Sequence, residues 1–281
     1  MYKGSVGRVL AEKGFRVKKH LGQNFLTDKN ILDKIVKAAD IKATTGVIEV
    51  GPGLGSLTTL LAGIAAKVLA YEIDSELIPI LEEHLKDFSN IVLLNKDVLK
   101  ADIDADIRAY LADVTEVIVV ANLPYYITTP IMMRFLETTK AVNRLVLMMQ
   151  AEVADRVTSD PSTKDYNALT VAIRYRAAVK YLFKVPRTVF IPSPNVDSAV
   201  VSIVVDRQPA IPAKNERFFF EMVHKCFAQR RKTILNNLRD GYPDRSRDEW
   251  EAILSGAGID PACRAETLDV RAFVFLADRL S

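Results

Sequence analysis

Four consecutive residues, 122-NLPY-125, carry the groups needed to hold a flat, amine-bearing ring. The asparagine amide offers a carbonyl acceptor. The proline restrains its own φ and stiffens the loop. A tyrosine face stacks on a base, a contact worth about 1–3 kcal/mol. The exocyclic amine of adenine is a poor nucleophile, because its lone pair is delocalised into the ring. Two acceptors on its two N–H bonds, the Asn122 side-chain carbonyl and the Leu123 main-chain carbonyl, would fix it and favour a pyramidal nitrogen aimed at an electrophile. Orientation then carries much of the rate. No strong base is needed first, since the amine gains acidity as it becomes cationic. Pro124 would set the loop and Tyr125 would stack. Phe190, in 188-TVFIPSPNVDSAV-200, offers a second ring face; taken alone it reads slightly better as an edge-strand core residue.

The electrophile needs a seat on the same edge, and 47-VIEVGPGLGSLT-58 supplies one. An apolar strand runs into Gly51, Gly53 and Gly55 and then into a helix, a nucleotide-binding geometry in which glycine lets the backbone approach a ligand. The spacing is G-P-G-L-G, not G-x-G-x-x-G. Pro52 removes an N–H that a pyrophosphate would use. A nucleoside without phosphates, S-adenosylmethionine, suits this turn; a purely structural turn is the competing reading. Glu72, followed by Ile73, lies 21 residues after Gly51, where an acid takes both ribose hydroxyls. Asp97, beside Val98, follows the next strand and can accept from an adenine amine. Singly these acids read as solvated loop residues. In this order, at neighbouring strand ends, they point to S-adenosylmethionine.

The elements that position these residues alternate. Strands at 46–50, 67–73, 91–95, 116–121 and 143–150 interleave with helices at 28–39, 55–65, 75–86, 103–112 and 129–139. Thr27 or Asp28 stands as N-cap of the first helix. Such alternation predicts a parallel sheet covered on both faces, an α/β fold. Helices at 151–159 and 166–175 and strands at 179–185 and 198–205 follow, the two strands forming an antiparallel pair at the sheet edge. After the Pro-containing 207-RQPAIPAKN-215 only helices are expected, at about 216–238, 246–257 and 269–280. The domain boundary falls near 207, giving residues 1–206 and 207–281.

Composition narrows the setting. The chain has 281 residues, 49% apolar, enough for a sizeable core. No apolar run reaches the ~18 residues of a membrane span, and the N-terminus lacks the apolar core of a secretory signal. Cys226 and Cys263 have no CxxC spacing and read as reduced thiols of a cytosolic protein. His20, His84 and His224 are far apart, so no metal site is expected. Charge is uneven. Residues 1–20 hold six Lys/Arg against one acid, and residues 214–239 hold seven against two, while 72–116 hold twelve acids against four bases. Basic ends around an acidic middle fit a polyanion partner; Lys18, Lys19, Arg230, Arg231 and Lys232 are the candidate phosphate contacts. Solvated faces are the plainer alternative.

The motifs 18-KKHLGQNFL-26, 48-IEVGPGLGSLT-58, 70-AYEID-74, 96-KDVL-99, 121-ANLPYYITTPI-131, 189-VFIPSPNVDSAV-200 and 227-FAQRRKTILNNL-238 span nearly the whole chain. Together they resemble the ribosomal small-subunit RNA adenine dimethyltransferase family. The resemblance implies a Rossmann-like class I methyltransferase domain with a seven-stranded, mostly parallel sheet, and a small all-helical C-terminal domain. It implies dimethylation of two adjacent adenosines in a hairpin loop near the 3′ end of small-subunit (16S) rRNA, with S-adenosylmethionine as donor. By motif, Asn24 and Leu26 would form a flap over the cofactor. Gly51, Gly53, Glu72, Ile73, Asp97, Val98 and Asn122 would contact the cofactor, and Asn122, Leu123, Pro124, Tyr125 and Phe190 would hold the target base, while Tyr126 would pack beneath the loop. The flap rests on the resemblance alone; 22-GQNFL-26 otherwise reads as a loop. Two rivals stand beside this reading. One is a large-subunit rRNA adenine methyltransferase conferring antibiotic resistance, with a similar Asn-x-Pro-Tyr loop but typically Ile where this chain has Leu123. The other is a non-catalytic RNA-binding assembly factor, against which the intact Glu72, Asp97 and 122-NLPY-125 argue. Nothing marks a dimer interface, so a monomer is expected.

Overall fold

The computed structural model describes residues 12, 14–18 and 21–280. Its centre is a seven-stranded sheet of β2 (Thr45–Val50), β3 (Lys67–Glu72), β4 (Ile91–Asn95), β5 (Glu116–Asn122), β6 (Val142–Gln150), β7 (Ala177–Val185) and β9 (Ser198–Val205). Their order is β4-β3-β2-β5-β6-β9-β7. The pairs β2–β3, β3–β4, β2–β5 and β5–β6 are parallel, and β6–β9 is antiparallel. Every residue of β2 is buried, as are Val117 to Ala121 of β5. That is why these segments read as continuous β-branched runs and not as alternation: helices cover both faces of the sheet. The chain winds outward from β2 through β3 to β4, then returns to β5 on the other side of β2. The reversal leaves a crevice at the carboxyl ends of β2 and β5, where open α/β sheets bind ligands.

The covering helices follow their periodicity. Lys29–Ala39 buries Ile31, Leu32, Ile35, Val36 and Ala39 along one stripe, and Asp28 is its N-cap, accepting from the Ile31 N–H at 3.1 Å. Ile78–Leu85 starts later than expected, with Pro79 in its first turn, where a missing N–H costs nothing. Short β1 (Phe25–Leu26) pairs antiparallel with β8 (Phe190–Ile191), Leu26 opposite Phe190. This second sheet replaces the loop that 22-GQNFL-26 suggests. Two residues carry too little period-2 pattern to be read as a strand.

The chain forms two compact units. One runs through Ala154 and resumes at Lys180–Val205; the other comprises Asp155–Val179 and the chain from Asp206 onward. The boundary drawn at 207 marks one crossing between them and leaves out 155–179. Tyr166, Val171 and Tyr175 of that segment are buried with Phe219, Trp250 and Phe273 in the second unit's core. The Tyr175 hydroxyl accepts from the Ala213 N–H at 3.0 Å and donates to Glu216 at 3.0 Å.

Within this unit the helix expected at about 216–238 is broken into Glu216–Cys226 and Ile234–Gly241. Asn237, 3% exposed, holds the turn between them. Its amide donates to the Cys226 and Gln229 carbonyls and accepts from the Gln229 N–H. Thr233 then N-caps the second helix. The turn so held carries Arg230 and Arg231. Among the described residues no helix is long and apolar enough to cross a membrane.

Candidate functional site

The crevice is a cleft with about 1080 Å³ of empty space, its open mouth included. Its floor is the glycine turn after β2. Gly51 and Gly53 have φ of 70° and 60°, in the left-handed region where L side chains are strained. A Cβ on Gly53 would also stand 3.1 Å from the Phe25 ring. Backbone bonds fix the turn: the Gly51 N–H donates to the Tyr71 carbonyl at 2.9 Å. His84 Nδ1 donates to the Leu54 carbonyl at 2.7 Å.

Two buried acids meet here. Glu72, at the end of β3, is 4% exposed, and its Oε1 accepts from the Asp74 N–H at 2.8 Å. Burial pushes its pKa up to about 7, against backbone N–H groups that favour the charged form. Glu49, on β2, is 2% exposed; burial, with the charge of Glu72 adding, pushes it up to about 8. Among the described residues its Oε2 is buried and makes no hydrogen bond of ordinary geometry, although the Thr58 hydroxyl lies close enough to work against the upward shift. An unpartnered buried carboxylate oxygen beside a second acid fits a ligand that brings both positive charge and hydroxyl donors. Sequence reading passed over Glu49, although a lone acid inside the apolar V-I-E-V strand was a signal in plain view.

The rim follows strand by strand. Ile73 is half exposed at the mouth and Val98 is buried. Asp97, half-buried, uses Oδ1 to accept the Leu99 N–H at 3.0 Å. Lys96 is held by Asp106 at 2.7 Å. At the end of β5 the Asn122 amide donates to the Asn24 carbonyl at 3.1 Å, which leaves its Oδ1 as the acceptor. The Leu123 N–H is bound to the Met148 carbonyl, and the Pro124 carbonyl is held by Thr128. Tyr125 stands in a 3₁₀ turn, half-buried, with its hydroxyl 2.6 Å from Ser198 Oγ. A phenol pinned at its far end presents a fixed ring face.

Asn24 and Leu26 line the cleft with Gly22 and Gln23, so residues 21–26 do form one of its walls. Two residues lie elsewhere than expected. Tyr126 is not beneath the loop: it is 55% exposed at the mouth, its ring against Gly22. Phe190 is 2% exposed in the apolar core with Leu26, and does not line the cleft. Its place opposite Leu26 in the β1–β8 pair holds it there.

The basic candidates divide as well. Lys18 is committed to Asp74 at 2.6 Å and Glu76 at 3.0 Å. Lys19, like most of the basic N-terminal segment, lies outside the described residues. In the second unit Arg230 and Arg231 are exposed; the Arg230 guanidinium donates to the Lys164 carbonyl, and Lys232 pairs with Asp240 at 2.7 Å.

Comparison with known proteins identifies the family. A profile described as ribosomal RNA adenine dimethylase matches residues 14–280. The ribosomal RNA small subunit methyltransferase A of Geobacillus thermodenitrificans is 49% identical over 279 residues, 99% of this chain and 95% of that relative. The protein of the same name in Bacillus pumilus is 47% identical over 97% of this chain and 94% of its own length. Among solved structures, a dimethyladenosine transferase from Plasmodium falciparum superposes with a TM-score of 0.75 at 25% identity, covering 90% of this chain and 95% of the other. The 23S rRNA methyltransferase ErmE superposes with a TM-score of 0.69 at 29% identity, covering 91% and 99%.

Proposed function

The chain belongs to the ribosomal RNA adenine dimethylase family, and from that premise we propose that it dimethylates the exocyclic amines of two adjacent adenosines in the 3′-terminal hairpin loop of small-subunit (16S) rRNA. S-adenosylmethionine, when bound, supplies an electrophilic methyl group on a cationic sulfur. One observation carries the reading: a single cleft joins a buried pair of acids, one with an orphaned oxygen, to an asparagine acceptor and a pinned tyrosine face.

Each residue has a task. Glu72 takes the ribose hydroxyls, Asp97 and Val98 meet the cofactor's adenine, and Ile73 covers it. Gly51 and Gly53 let the backbone approach, and Asn24 and Leu26 wall the opposite side. Glu49 balances the cofactor's positive charge. Asn122 Oδ1 and the Leu123 carbonyl accept the two N–H bonds of the target amine, orienting its lone pair. Tyr125 stacks on the target base, and Pro124 keeps that loop stiff. Phe190 completes a two-sided clamp only by leaving its buried position, which requires β8 to shift. Lys19, Arg230, Arg231 and Lys232 bind RNA phosphates, contacts that position without specifying sequence. The protein acts in the cytoplasm, as a monomer, on the maturing small subunit.

The resemblance to ErmE keeps large-subunit rRNA as the second reading. The fold does not separate the two, since both superpose on it over about nine-tenths of the chain. Relatives named for the small subunit, at nearly half identity along the whole chain, favour the first. The decisive assay incubates the protein and methyl-labelled S-adenosylmethionine with undermethylated small subunits, and separately with large-subunit rRNA. Label is expected in adenosines of the small-subunit RNA. Label only in the large-subunit RNA overturns the assignment, and cofactor binding without label in either favours a non-catalytic assembly factor.

A further inference from the structure

Asp74 sits in the loop just after β3, yet it is 3% exposed. Its Oδ1 accepts from Lys18 Nζ at 2.6 Å and from the Glu76 N–H at 3.1 Å; its Oδ2 accepts from Gln23 Nε2 at 2.8 Å. The Gln23 Oε1 in turn accepts the Lys18 N–H at 2.8 Å. On its other side, the Asp74 N–H donates to Oε1 of Glu72. Burial raises the pKa of Asp74, but the bonds from Lys18 and Gln23 outweigh it and hold the carboxyl below its usual range. A local turn accounts for the Glu76 bond alone. The bonds to Lys18 and Gln23 span 56 and 51 positions and serve no turn.

These bonds tie the cleft wall of residues 21–26 to the loop that follows the ribose acid. A second tie, from Asn122 to the Asn24 carbonyl, holds the same segment to β5. We propose that Asp74 is a positioning residue that clasps Lys18 and the wall of residues 21–26 across the cofactor cleft, and that Lys18 works in this clasp and not on the RNA surface. The inference rests on reading the cleft as the S-adenosylmethionine site. An exposed ion pair would contribute little. Here the carboxylate is buried, so removing its cation leaves an unpaired charge and the wall loses its anchor. The clasp then sets how fast cofactor and product exchange.

Lys18 discriminates between the two roles. A phosphate contact would lower RNA affinity and the salt dependence of RNA binding when removed, and leave cofactor binding alone. A clasp residue does the reverse. The test measures S-adenosylmethionine dissociation by stopped flow, and RNA affinity by titration, for the wild type, Asp74→Asn, Lys18→Met and the double variant. Asp74→Asn is expected to speed cofactor dissociation about tenfold and to raise KM for the cofactor more than it lowers kcat, with RNA affinity changed by less than about twofold. Lys18→Met is expected to do the same to a smaller degree, and the double variant to be no worse than Asp74→Asn, because the two act as one unit. Thermal melts check the fold; should Asp74→Asn not fold, Lys18→Met and Gln23→Leu carry the test. Unchanged dissociation in folded variants, or a Lys18→Met variant that loses RNA affinity while holding the cofactor normally, overturns the clasp. A wild type that binds no S-adenosylmethionine overturns the reading of the cleft itself, a different and separable result.

Discussion

The two ends of the cleft are built by opposite means. At the glycine-turn end, Glu49 and Glu72 are carboxyl groups withdrawn from water, and burial pushes both toward the protonated form. At the β5 end, Asn122 and Tyr125 are neutral, half-buried and already hydrogen-bonded to their supports. Under the proposed function, the first end would hold carboxyls that ionise against a small cation, and the second would offer shape and acceptors to a base that enters and leaves as part of an RNA. Charge buried at the β5 end would hinder that exchange; neutral acceptors at the other end would bind the cation too weakly.

Asn122→Ala strikes the β5 end at its acceptor and should have the largest effect. Single-turnover methyl transfer is expected to fall by about 10²–10³-fold, with RNA binding mostly retained. Near-normal turnover would show that the amine is oriented by other groups.

The acid end is tested by pH. Glu49 has its pKa raised to about 8 from an ordinary 4.5, so the unfolded chain loses this proton first. Its contribution to stability is therefore greatest below about pH 4.5 and is lost as pH rises toward 8. Across that window the cofactor-free protein should lose on the order of 2–4 kcal/mol, read by denaturant titration, and Glu49→Gln should flatten the curve. Over pH 6 to 7.5 cofactor affinity should move the other way, rising as Glu49 and Glu72 ionise. A variant as pH-sensitive as the wild type would remove Glu49 from the account.

Tyr125→Ala should weaken engagement of an adenosine-containing RNA loop by about 1–3 kcal/mol, the value of one stacking face. Ser198→Ala, which only frees the phenol, should cost about 1 kcal/mol or less. Equal losses would mean that the hydroxyl matters and the ring does not. The smallest effect belongs to the second unit. Replacing Arg230 and Arg231 with Ala should lower RNA affinity modestly and reduce the slope of log affinity against log salt by about 1–2, without altering cofactor affinity.

The legible parts of the molecule are those where neighbours in space are neighbours along the chain. β-branched runs alternating with helical stripes announced the parallel sheet. Gly51, Glu72, Asp97 and Asn122 could be placed on one edge because each lies at or just past a strand end, and in this fold those ends face one crevice. The break at 227–233 was not legible, since the amide of Asn237 competes with helix hydrogen bonds only once it is buried. Nor was the membership of 155–179, whose aromatic residues fit either core by type.

By itself the sequence determined the sheet, the glycine turn, the acids at the strand ends and the 122-NLPY-125 loop after β5. Only the tertiary structure decided that Lys18 serves Asp74, that Asn122 grips Asn24, that Tyr125 is pinned by Ser198 and that Thr27 and Val189 tie the flap to the Phe190 segment. These bonds join residues 56 to 162 positions apart. Periodicity and spacing report which face a residue takes. They say nothing of which distant polar group will satisfy it, because that partner is selected by burial and distance after the chain has folded.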